Sequence, residues 1–386
     1  MAEPRADVRP AWQTAADPLA TLLAVTATLA AAAAVLVVAS AVGRAGTASG
    51  TAGSLTRWGL PLARLGLDVA ALGTIGLLLL GGFFLPSDGD RLTRPARSAI
   101  RTAAWWALAW AGAAVLIGAL TISDLAGQPV STVLTWPTVR EFAVGQAQGR
   151  ALLLVLALSL ALAVCAARTR TAGDAWLLLV LAAVTVVPPA LTGHAAEAAG
   201  HDLAQISLVL HVLAASAWVG GLGALVLHRS VVRASVGKRS GPRVGRSARM
   251  GAEPRVSAVV VTGRYSQLAL GCFVAVGVSG VVNAAIRLGN SPGAVSELWE
   301  SRYGWLVLGK IAAFAALGVF GWRHRARTLT HLAAGRPGAF RSLAVAELVL
   351  MALTIALAVG LSRSPTPVPA HAGPAAPVAT STTASR

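Results

Sequence analysis

Residues 204–227 read AQISLVLHVLAASAWVGGLGALVL, and the reading of this stretch decides the fold. About 20 apolar residues at roughly 1.5 Å rise cross the roughly 30 Å hydrocarbon core of a bilayer, so the run predicts a membrane-spanning helix. One ionisable side chain, His211, sits well inside it. Trp218 follows about two turns later, which places both residues on one helix face. Ala217, Gly220, Gly221 and Ala224 form a small-residue ridge on another side, where a neighbouring helix can approach closely. An ionisable group at membrane depth is costly, so this helix is expected to do more than anchor the chain.

The rest of the chain has the same character. Its 386 residues are 55% hydrophobic and 12% charged, with mean hydropathy +0.69, which marks a polytopic membrane protein. The formal net charge of +17 raises nucleic-acid binding. The arginines argue against it, because most sit in short segments between apolar runs, where the positive-inside rule places them. No nucleic-acid partner is expected; the partner is the lipid bilayer. Cys165 and Cys272 lie in apolar runs with no metal-ligand spacing and read as inert packing residues. The first apolar run is too long for the core of a signal peptide and follows a mixed-charge leader, so it is expected to stay as a membrane helix.

The hydropathy pattern predicts an all-α bundle of about nine spanning helices, at about 19–42, 60–85, 102–122, 148–166, 175–192, 204–227, 264–288, 304–322 and 342–362. Residues 1–18 form a leader and 364–386 a Pro/Ala/Thr-rich tail, both expected to be disordered. Residues 19–192 are taken as an N-terminal set of five helices and 193–363 as a second unit. A short surface helix is expected around Trp136 and Phe142, and Pro188-Pro189 are expected to break the fifth helix. Arginines crowd the segments 86–101, 167–174, 229–257 and 323–341, and strict alternation puts all four on one side. That side is read as cytoplasmic, with the N-terminus inside, the C-terminus outside and the chain multi-pass in a plasma membrane.

Topology then sorts the polar residues by depth. His194 and His201 flank the outer loop before the 204–227 helix, and His211 lies roughly 10 Å beneath it. Asp68 and Lys310 are at similar depth, and Glu347 is near the inner start of the last helix. Each has a structural alternative: Arg64 and Asp68, four apart, neutralise each other, Lys310 pairs with Asp68 or snorkels, and Glu347 pairs with Arg341 or Arg323. Three histidines converging on one outward mouth nevertheless suit a metal, since imidazole binds Cu, Zn, Fe and Ni. His194, His201 and His211 are the metal candidates. Only three methionines occur and no Cys-x-x-Cys, so no soft sulfur relay is visible.

Over about 190–365 the chain resembles the copper resistance protein D family. The resemblance rests on Gly193-His194-Ala195, His211 with Trp218-Val219-Gly220-Gly221-Leu222, Arg264-Tyr265-Ser266, Ser279-Gly280, Tyr303-Gly304 with Lys310, and Glu347. The N-terminal half matches only in being helical and membrane-spanning. The resemblance implies movement of copper ions across a bacterial inner membrane, with His194 and His211 contacting copper. It also implies a separate extracytoplasmic copper-binding protein as partner, since no fused β-domain is visible here.

Three functions follow as expectations. The first is a copper permease, in which His194, with His201, captures copper and passes it to His211. The second is a haem b electron-transfer protein, which needs a second deep histidine opposite His211. The third is an assembly factor delivering copper to a respiratory oxidase. No nucleophile–base pair or paired carboxylates stand out, so no enzyme activity is expected.

Overall fold

The computed structural model describes residues 52–192, 201–239, 253–288 and 302–333, together with 299, 347–352 and 354. Side chains of the later helices are described within 202–226, 260–286, 304–323 and 347–354. The 1–18 leader, the 19–42 run, the loop carrying His194 and the 364–386 tail lie outside the described residues.

The described chain is an all-α polytopic bundle. Helix α1 spans Gly53–Leu79 and runs into a π-helical turn, Leu80–Phe84. A two-residue hairpin, β1 (Ser87–Asp88) and β2 (Arg91–Leu92), leads to α2, Arg94–Ala126. Two short pieces, α3 (Val130–Val133) and α4 (Trp136–Arg140), with a π-helical turn at Glu141–Gly145, occupy the expected surface segment. Then come α5 (Ala147–Arg168), α6 (Ala172–Leu191), α7 (His201–Arg239), α8 (Glu253–Leu288) and α9 (Arg302–Ala333). Among the described residues, six helices are long and apolar enough to cross a membrane: α1 with its π turn, α2, α5, α6, and the 202–226 and 260–286 parts of α7 and α8.

Helix ends depart from the hydropathy reading, and the large departures are outward. Helix α2 begins at Arg94 rather than near 102, and α7 and α8 extend to Arg239 and from Glu253 into the expected 229–257 loop. Hydropathy marks the part of a helix that needs the bilayer. The backbone ladder continues past it, because Arg and Lys are good helix formers. The expected break at Pro188-Pro189 does not occur, since α6 runs through both prolines to Leu191. The two prolines remove the amide bonds to the Val184 and Thr185 carbonyls, but proline's φ is already helical, so the backbone keeps its helical path over the two residues that follow them. At the other end of α6, Thr171 caps the helix by accepting from the Asp174 amide at 3.1 Å.

Loop contacts align the helices end to end. Leu92 N donates to the Arg170 carbonyl at 3.1 Å and Ala172 N to the Asp90 carbonyl at 2.8 Å, so the basic loops after α1 and after α5 share one end. At the opposite end, the Ser123 hydroxyl donates to the Gln128 carbonyl at 2.6 Å and accepts from the Thr56 hydroxyl at 2.6 Å. That joins the start of α1 to the end of α2. The Arg264 guanidinium donates to the Phe83 carbonyl at 2.9 Å, fixing the lower part of α8 against the π turn.

Helix α1 is the hub, packed on α2, α6 and α7, while α7 also packs on α6 and α8. The α1–α7 crossing is backbone on backbone. A Cβ at Gly76 would collide with the Gly220 carbonyl, and one at Gly220 would collide with the Leu72 carbonyl. The small-residue ridge read from the sequence is therefore where the neighbouring helix arrives. A Gly220→Leu substitution is expected to destabilise the bundle by roughly 1–3 kcal/mol or more, as overpacking does. Thermal unfolding of the detergent-solubilised protein would show the drop, with Gly112→Ala, at a position open to space, leaving the midpoint in place.

Candidate functional site

The face of α7 opposite its contact with α1 meets α8, and here the polar residues gather. Ser207, His211 and Trp218 are spaced by four and seven residues, so one stripe carries all three. The described contacts bear this out, with His211 against Ser279 and Trp218 against Phe273, both on α8. The sequence expectation that His211 and Trp218 share a face is correct.

The hydrogen bonds around His211 fix its chemistry. Nδ1 lies 2.9 Å from the Ser279 hydroxyl oxygen. That hydroxyl donates its own proton to the Ala275 carbonyl at 2.6 Å, shared with the Val276 carbonyl at 3.2 Å. A serine has one proton to give, so toward the imidazole it accepts. The imidazole tautomer that matches this arrangement is the one protonated on Nδ1, which leaves the Nε2 lone pair to a ligand. Asn283 completes the cluster: its amide donates to the Ser207 hydroxyl at 3.0 Å and to the Ser279 carbonyl at 2.8 Å. Ser207 in turn donates to the Ser279 carbonyl at 3.1 Å. Ser207 and Ser279 are buried, so the network lies inside the bundle. An imidazole whose other nitrogen is held by a fixed acceptor is how proteins orient a histidine toward a metal.

Lys310 of α9 acts electrostatically on the His211 ring. Asp68 has Arg64 as its electrostatic partner, in line with the neutralising reading of that pair. Arg64 has a further partner, Asp124 near the end of α2, whose effect on it is the larger. Glu347 is buried and acts on Tyr265, whose hydroxyl donates to the Trp218 carbonyl at 3.4 Å.

Between these two polar levels lies an aromatic layer. Trp218 meets Phe273 edge-on with ring centres 5.7 Å apart, and Phe273 stacks on Phe314 of α9 at 4.4 Å, nearly parallel. Trp218 is buried and its indole N–H has no hydrogen-bond partner among the described residues.

Of the three histidines expected to bind metal, only His211 has a described side chain. His194 lies outside the described residues, and His201 opens α7 without a described side chain. Among the described residues no three of His, Cys, Asp or Glu come together. Cys165 is exposed on α5 and Cys272 buried on α8, both in spanning helices as expected. Ser207 and Asn283 were not among the sequence candidates. Their signal was available, as an amide within an apolar run and a serine one turn before the histidine.

Two family models match the chain: copper resistance protein D over residues 259–361, and the N-terminal domain of copper resistance protein D-like proteins over residues 54–205. The second corrects the view that the N-terminal half resembles the family only in being helical. The Trp218-Val219-Gly220-Gly221-Leu222 run lies between the two matched stretches. No curated protein and no solved structure matches the chain. The two matches together cover about two thirds of the sequence, in chain order and on the same bundle. The chain thus belongs to the copper resistance protein D family, and is a multi-pass membrane protein of copper resistance and homeostasis.

Proposed function

We propose that this protein carries copper ions across a bacterial plasma membrane, as a permease and not as an enzyme. His194, with His201 beside it, takes copper at the outer mouth, and His211 receives it inside the bundle. The observation that supports this reading is the contact of His211 Nδ1 with the Ser279 hydroxyl at 2.9 Å. Ser279 holds the Nδ1 proton, leaving the Nε2 lone pair for a soft or borderline cation in an apolar setting. Family membership supports copper as the cargo.

Lys310 gives the site a second property. An ammonium acting on His211 opposes a cation bound there, so copper is held weakly enough to move on. Conduction needs this balance, since a site that binds too well does not release. Orientation with the basic loops inside, as the arginine distribution requires, makes the His211 level the outer third of the path.

Copper accumulation in cells with and without the protein tests the reading. His211→Ala and His194→Ala are each expected to abolish most of the difference; unchanged accumulation and copper tolerance in both would sink the metal path. Absorbance of the purified protein is expected to lack a strong Soret band, the signature of the haem alternative. The assembly-factor alternative is separated by deletion, which would then lower oxidase activity while leaving copper uptake unaltered.

Two substitutions probe the neighbours of His211. Ser279→Ala removes the acceptor for Nδ1–H and is expected to weaken copper binding roughly 10–100-fold, the usual cost of losing a metal-ligand orienter. Competition against a chelator in nanodiscs reads that loss, and Ser279→Thr, which keeps the hydroxyl, is expected to restore most of it. Lys310→Met is expected to act in the opposite direction, raising the copper retained per protein after a chelator wash.

A further inference from the structure

The first turns of α2 carry a feature that copper handling leaves unused. Arg94, Arg97, Ser98, Arg101, Thr102 and Trp105 line a cavity of about 310 Å³ on the outer surface of the bundle. Arg94, Arg97 and Arg101 are three and four residues apart, so one helix face carries all three. The opposite face, through Ala96, Ala99, Ile100 and Ala103, is buried in the core. No acidic residue lines the cavity, although Asp88 and Asp90 are nearby in sequence.

Helix length sets the depth of this cavity. Helix α2 has 33 residues, about 50 Å at roughly 1.5 Å each, which exceeds the roughly 30 Å hydrocarbon core. The stretch from Trp105 to Ala126 is alone about 32 Å long by the same rise and fills the core. Trp105, 73% exposed, then stands at the interface, where tryptophan is favoured. The roughly three turns before it, with the three arginines, lie in the headgroup layer. Arg97 is already positioned, since its Nη2 donates to the Leu92 carbonyl at 3.2 Å, and its other donors remain for a ligand. Arginines kept inside only to satisfy topology need not share a face or a cavity.

We propose that this cavity binds the phosphate of an anionic phospholipid, the guanidinium groups of Arg97 and Arg101 clasping the phosphodiester oxygens while Trp105 lies along the glycerol and upper acyl chain. Arginine suits this role because its planar fork meets phosphate oxygens two at a time. A basic pocket against spanning helices at the headgroup level is a recurrent form of lipid recognition. The bound lipid would brace α2 at the end where the hairpin joins α2 to α6.

Native mass spectrometry of the full-length protein in detergent, titrated with phosphatidylglycerol, cardiolipin or phosphatidylcholine, tests the site. Anionic lipid adducts should exceed phosphatidylcholine adducts severalfold and should raise the thermal midpoint. The double variant Arg97→Gln/Arg101→Gln should lose at least tenfold in anionic-lipid adducts. Arg168→Gln/Arg170→Gln, which removes the same charge at the same end outside the cavity, should retain them. Equal loss in the two double variants would overturn the proposal in favour of diffuse surface charge. Inorganic phosphate at matched concentration should neither displace the lipid nor raise the midpoint; if it does both, the site takes a free anion and the lipid assignment fails. Should the glutamine variant not fold, Arg97→Lys/Arg101→Lys keeps the charge and removes the fork. It should weaken adduct formation severalfold, and unchanged adducts there would equally overturn the assignment.

Discussion

The contact between Gly76 and Gly220 is the constraint on which the other placements depend. Lipid tails are as apolar as the side chains they touch, so helices in a membrane gain little from hiding apolar surface. They associate by close packing, and backbone-to-backbone approach at two glycines is the closest available. It fixes α7 against α1, and with it the rotation of α7 about its own axis. Once Gly220 faces α1, the stripe that carries Ser207, His211 and Trp218 must face α8. The orientation of the histidine is thus decided some three turns away, by two residues that have no side chains.

The polar network is the second consequence of that rotation. Four side chains, Ser207, His211, Ser279 and Asn283, satisfy one another and the Ala275 and Ser279 carbonyls. In hydrocarbon an unmet donor costs several kcal/mol, so such a network holds its members in one arrangement. Arg64 follows the same logic at the end of the bundle, set between Asp68 on its own helix and Asp124 on the next. Charge inside the membrane is tolerated here because it is matched locally.

Much of this was readable in the residues, for identifiable reasons. Apolar runs revealed the spanning helices because the bilayer imposes their composition. The ridge at Gly220 and the common face of His211 and Trp218 followed from helical periodicity alone. Helix ends were legible only as the limits of hydropathy, which is why α2, α7 and α8 run further than the runs that predicted them. The Pro188-Pro189 pair does not end its helix because proline's fixed φ is itself helical, and only two residues of the helix lie beyond it. Partners across helices were not legible: Ser279 is 68 residues from His211, and nothing in a single sequence pairs them. Asp124 as a partner of Arg64 is illegible for a related reason, since it lies beyond the apolar run in what hydropathy reads as a loop. The N-terminal family match rests on helices that carry no short motif of the kind found at His211.

The aromatic layer of Trp218, Phe273 and Phe314 has a meaning for the membrane as a whole. It separates the His211 level from the Tyr265 and Glu347 level, which are 14 positions apart along α8 at Ser279 and Tyr265, roughly 21 Å by helical rise. Stacked rings offer no hydrogen-bonding groups to a file of water, and a proton wire needs an unbroken file. In the described arrangement, then, the bundle keeps polar groups at two depths without joining them.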